Sequence, residues 1–121
     1  MSNDNGLCQP TEVLIFPCSG GSNVGQIANE AAKQLTNQGY GKMYCLAGIG
    51  GHIRGIVEST KAAKKIVVID GCPVSCARKT FEHAGFSIDK HIVITELGIK
   101  KENGFPLDGG QIENVVTKIK S

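Results

Sequence analysis

The sequence has no tryptophan, and its aromatics are four phenylalanines and two tyrosines, about 5% of 121 residues. They are scattered, so there is no platform on which nucleic-acid bases could stack. Strong charge is missing as well. Thirteen Lys+Arg against 11 Asp+Glu leave a net charge of +2, too little to draw a polyanion. The densest basic pieces, Lys61–Lys64–Lys65 and Lys118–Lys120, read as solvated helix faces. Apolar runs stop at about four residues, as in Val13–Phe16 and Ile66–Ile69, whereas a membrane span needs about 20. The polar start, Met1-Ser-Asn-Asp-Asn5, lacks the apolar segment of a secretory signal. These absences lead us to expect a cytoplasmic protein with reduced thiols and with no nucleic-acid or membrane partner.

What the sequence does have is glycine and cysteine: 16 Gly and five Cys. Five thiols are an odd number and too few for a disulfide scaffold. In a cytoplasmic chain they point to metal binding or redox chemistry.

Residues 1–11 carry no periodicity and read as a loose tail, with residues 12–121 as one domain. Val13–Phe16 reads as a strand, bounded by Pro17 and Gly20-Gly21. Val24, Ile27, Ala28, Ala31, Ala32 and Leu35 keep helical spacing, with Ser22 or Asn23 as the cap and Gly39 as the stop. Further strands are expected at Lys42–Cys45, Ile66–Asp70 and His91–Thr95, and further helices at about His52–Lys64 and Ser75–His83. Glu96–Pro106 reads as a loop, and Ile112, Val115, Val116 and Ile119 mark a last amphipathic helix.

This alternation predicts a three-layer, Rossmann-like (flavodoxin-like) α/β fold, with a four-stranded parallel sheet in the order 2-1-3-4. Ligands of such sheets bind beyond the carboxyl ends of the strands, at the point where strand order reverses.

The cysteines fall at those ends. Cys18, Cys45 and Cys72 stand at equal intervals of 27 residues (18 to 45, 45 to 72), the length of one βα unit. Cys76 follows Cys72 at the start of a helix. Four thiolates around one point suit a tetrahedral ion, and sulfur ligation selects zinc, copper(I) or an iron–sulfur cluster. Gly-rich turns at Cys18–Asn23 and Leu46–Gly51 let backbone N–H groups approach a ligand. Ser19, Gly20, Gly48, Asp70 and Gly71 are the supporting candidates around the cysteines.

The second reading is a thiol-based redox or sulfur-transfer enzyme using Cys18, Cys72 and Cys76. Cys18 and Cys76, placed near helix starts, are its candidate reactive thiolates. Cys72-Pro-Val-Ser-Cys76 has one residue too many for a thioredoxin motif. Val24, six residues after Cys18, stands where a phosphatase-like loop needs an arginine. No P-loop is present, and the first strand leads into no dinucleotide fingerprint.

His52 could reach the rim. His83 and His91 are placed toward the opposite edge, Arg78 and Lys79 on a helix surface, and Cys8 in the tail as a leftover thiol.

Three segments together resemble the motifs of the DGC-domain family: Pro17-Cys-Ser-Gly-Gly-Ser22 with Gly25-Gln26, Cys45-Leu-Ala-Gly-Ile-Gly-Gly51, and Asp70-Gly-Cys-Pro-Val-Ser-Cys-Ala77. Members are small prokaryotic proteins described as zinc-binding and named for the Asp-Gly-Cys motif. The resemblance covers residues 12–119. It implies four metal-ligand cysteines, which map onto Cys18, Cys45, Cys72 and Cys76.

Overall fold

The computed structural model describes residues 13–121; the expected tail, with Cys8, lies outside the described residues. Four strands, β1 (Val13–Pro17), β2 (Lys42–Met43), β3 (Lys65–Asp70) and β4 (Lys90–Val93), form one all-parallel sheet in the order β2-β1-β3-β4. The helices are α1 (Asn23–Asn37), α2 (Leu46–Gly50), α3 (Arg54–Lys61), α4 (Cys76–His83) and α5 (Gly109–Lys120).

β1 and β3 are buried along nearly their whole length, which explains their unbroken apolar runs. Side chains alternate between the two faces. Ile15, Val67 and Ile69 pack under α1 and α5, whereas Leu14, Phe16, Ile66 and Val68 pack with Ile49 of α2 and with Ala77 and Phe81 of α4. This gives the three layers. Phe16 meets Phe81 edge-on at 4.7 Å.

The α1 pattern holds throughout: Val24, Ile27, Ala28, Ala31, Ala32 and Leu35 are all buried. Ser22 is its cap, with Oγ accepting from the Gly25 N–H at 3.1 Å. Gly39, at φ 79°, takes the left-handed turn just past the helix end.

The structure departs from expectation between residues 46 and 64. The stretch read as a Gly-rich turn is the short helix α2, and the helix expected from His52 begins at Arg54. Between them His52 adopts φ 55° and Ile53 is extended, which breaks the helical path. Two strands are also shorter than expected. β2 ends at Met43 and β4 at Val93, where a 3₁₀ turn (Ile94–Leu97) takes over. No helix among the described residues is long and apolar enough to cross a membrane.

Candidate functional site

Two loops build the centre of the carboxyl rim, one after β1 and one after β3. They meet through glycine. A Cβ on Gly25 would lie 2.5 Å from the Gly20 carbonyl oxygen, and one on Gly71 would lie 2.8 Å from the Gly25 nitrogen. Only glycines allow these backbones to touch. The contact sets Cys18 and Cys72 on one cavity of about 240 Å³, which Cys76 also lines.

Cys18 directly follows β1, and its N–H donates to the Ile69 carbonyl at 2.9 Å. Burial pushes its thiol up from the ordinary range. Hydrogen bonds from the Gly20 and Gly71 N–H groups oppose that shift, and the charges of Asp70 and Cys72 add to it. The expectation of an acidic Cys18 thiolate is therefore corrected. α1 does not start until Asn23, so Cys18 is not at a helix start, and its burial outweighs the two N–H donors.

Cys72 is half-buried, and the Lys101 ammonium donates to its sulfur at 3.6 Å. Cys76 is exposed on the first residue of α4. Cys45 is exposed at the cap of α2 and opens onto a second cavity of about 450 Å³, lined also by Cys18 and Ser19. Cys18 thus lies between the two cavities.

Asp70 is 1% exposed, and its bonds are accounted for. Oδ1 accepts from the Ala77 N–H at 2.8 Å, and Oδ2 accepts from the Arg78 N–H at 3.0 Å and from His91 Nε2 at 2.8 Å. It ties the end of β3 to the start of α4. His91, expected at the far edge, is instead joined to the rim through this carboxylate, because β4 runs beside β3.

The other candidates divide. Gly20 sits against the Cys18 sulfur, at 3.8 Å from a virtual Cβ. The Ser19 hydroxyl turns to Asn29 Oδ1 at 2.9 Å. Gly48 packs against Ile56, where a Cβ would come within 2.7 Å, and lines neither cavity. His52 stacks edge-on with His83 at 5.6 Å, away from both cavities. Arg78 pairs with Glu82 at 2.8 Å.

Three further residues take part in the site although the sequence does not mark them as site residues. Asn23 is 3% exposed and clamps a distant segment: Nδ2 donates to the Lys100 carbonyl at 2.9 Å, Oδ1 accepts from the Glu102 N–H at 2.6 Å, and its own N–H reaches the Glu102 carbonyl at 3.2 Å. Lys101, held between those two residues, lines the first cavity, as does Ser75 at φ 55°.

As donors, the four thiols suit a soft metal. Their arrangement does not offer a common centre: among the described residues, no three His, Cys, Asp or Glu side chains gather closely enough to hold an ion.

Fold and rim together define a parallel α/β protein whose cysteines collect at the topological switch point. The sequence model of the DGC domain matches residues 14–119, and the chain belongs to that family. It is 30% identical over 106 residues to the anaerobic and virulence modulator AnvM of Pseudomonas aeruginosa, covering 88% of this chain and 81% of that protein. No solved structure matches the chain.

Proposed function

We propose that the protein works through a dithiol, with Cys72 as the attacking thiol and Cys18 as the resolving one. The observation that supports this is their shared cavity, in which Cys72 has a cationic hydrogen-bond donor, Lys101, and Cys18 is buried beside it. The reaction is thiol–disulfide exchange. The Cys72 thiolate attacks a substrate disulfide, forms a mixed disulfide and releases one substrate thiolate. Deprotonated Cys18 then attacks the Cys72 sulfur and releases the second. The substrate gains two electrons and two protons, and Cys18 and Cys72 become a disulfide. Such a pair follows the supply of oxidant, which suits the role named for the relative, a modulator with "anaerobic" in its name.

The test is oxidation of the reduced full chain with glutathione disulfide, followed by thiol counting and peptide mass spectrometry. A Cys18–Cys72 disulfide is expected, with Cys72→Ser abolishing adduct formation and Cys18→Ser trapping the mixed disulfide. A Cys72–Cys76 disulfide, or no disulfide, overturns the assignment.

A second reading, zinc held by Cys18, Cys45, Cys72 and Cys76, is favoured by the position of Cys18 between the two cavities. It requires the β1, β2 and β3 loops to draw together. Anaerobic purification with metal analysis tests it. One equivalent of zinc, lost in Cys18→Ser and Cys72→Ser, supports this reading, and a brown chromophore with iron and sulfide selects a cluster instead.

A further inference from the structure

The cavity shared by Cys18 and Cys72 holds donors that its own residues leave unused. The Ser75 hydroxyl, on a residue 4% exposed, lines the cavity and meets no hydrogen-bond partner among the described residues. The hydroxyl is open to the cavity, so it is free to donate to a group bound there. Lys101 brings a cation whose one hydrogen-bond partner among the described residues is the Cys72 sulfur, at 3.6 Å. Its placement is built, because Asn23 fixes the backbone on both sides of it.

Acceptors are the opposite case. Among the described residues Asp70 is the one carboxylate lining the cavity, and both its oxygens are engaged by Ala77, Arg78 and His91. That engagement takes the Ala77 and Arg78 N–H groups of the first turn of α4, so the side-chain donors left to the cavity are Ser75 and Lys101. Cys18, with its thiol pushed up by burial, adds no negative charge at neutral pH. The volume of about 240 Å³ falls below the roughly 300–1,000 Å³ of drug-sized sites.

We propose that this cavity binds a small oxyanion, with Lys101 supplying the charge and the Ser75 hydroxyl a directed hydrogen bond. The site shares Lys101 with the dithiol reading but does not require the thiol reaction to take place.

Amide spectra of the reduced full chain, titrated with sodium sulfate and separately with sodium acetate at constant ionic strength, test it. Saturable shifts are expected at Gly20, Gly21, Gly71 and Ser75, with half-saturation on the order of 1–10 mM for one or both probes. The better probe tells whether a tetrahedral or a planar oxyanion is preferred. Lys101→Gln should weaken binding about tenfold or more. Ser75→Gly, which keeps the left-handed backbone, should weaken it several-fold, and Lys79→Gln should leave it unchanged. Non-saturating shifts, or an unchanged titration in Lys101→Gln, overturn the proposal. Sulfate or acetate binding without a Cys18–Cys72 disulfide would remove the dithiol reading alone, and the reverse result would remove the anion site alone.

Discussion

His91 Nε2 donates to Asp70 Oδ2 at 2.8 Å, and the same carboxylate holds the Ala77 and Arg78 N–H groups in the first turn of α4. One buried side chain therefore joins β4, the end of β3 and the helix that carries Cys76. The Asp of the Asp-Gly-Cys motif fixes the loop on which Cys72 stands; its hydrogen bonds go to Ala77, Arg78 and His91, and its charge helps hold the proton on Cys18.

Removing His91 should loosen that junction without abolishing it. His91→Ala leaves the Asp70 carboxylate with its two N–H donors and should cost about 1–2 kcal/mol. Asp70→Ala strands two backbone donors and the imidazole, and should cost about 3 kcal/mol or more. Urea unfolding measures both. Hydrogen exchange at Ala77 and Arg78 should accelerate in each variant, more so in Asp70→Ala. Equal costs for the two would show that the imidazole, and not the helix start, dominates the role of Asp70.

Much of the fold was legible because apolar periodicity reports burial directly. The buried runs of β1 and β3 and the six-residue stripe of α1 needed no tertiary information. The rim cysteines were legible for a related reason, since strand ends in a parallel sheet fall on one edge. The partners of those cysteines were not. Asn23 and Lys100 are 77 residues apart, and the contact joins a polar residue at the start of α1 to a loop that has no period to betray it. Lys101 stands in a stretch that reads only as loop. His91 was misplaced because strand order locates a backbone, not the reach of a side chain across to the neighbouring strand.

Gly71 gives a sharper test of how the two loops meet. A methyl group there would lie 2.8 Å from both the Gly25 nitrogen and the Val24 carbonyl carbon, backbone atoms that cannot swing aside. Gly71→Ala should therefore push the β1 and β3 loops apart, at a cost of about 1–3 kcal/mol. It should also slow formation of a Cys18–Cys72 disulfide, whereas Gly55→Ala, in open space, should do neither. Wild-type oxidation kinetics in Gly71→Ala would show that the contact does not set thiol proximity.

The raised Cys18 thiol has a pH signature. An unfolded chain releases this proton near the ordinary value of 9.0, whereas the folded chain holds it to higher pH. Below that value both states are protonated and Cys18 contributes no slope. Above it the unfolded state binds fewer protons than the native state, so stability falls as pH rises. The urea midpoint of the wild type should drop more between about pH 8.5 and pH 10.5 than that of Cys18→Ser. The mixed disulfide on Cys72 should likewise resolve faster over this range, because only the Cys18 thiolate attacks. Parallel stability curves for the two proteins would show that burial does not hold the Cys18 proton.

Asn23 should matter to the site although it does not line the cavity. Its amide is 3% exposed and makes two side-chain hydrogen bonds to the Lys100–Glu102 backbone, so Asn23→Ala takes away the partner of the Lys100 carbonyl and the Glu102 N–H. The expected cost is about 1 kcal/mol, concentrated in that segment. Hydrogen exchange at Glu102 should rise more than exchange in the strands. Lys101 would keep its charge but lose its fixed place, so sulfate or acetate binding should weaken by severalfold in a chain that still has the lysine. Asn23→Asp keeps the acceptor for the Glu102 N–H but replaces the donor to Lys100 with an oxygen. It should restore part of the protection at Glu102 without restoring the Lys100 bond. If Asn23→Ala binds the anion as the wild type does, Lys101 reaches the cavity without help from the clamp.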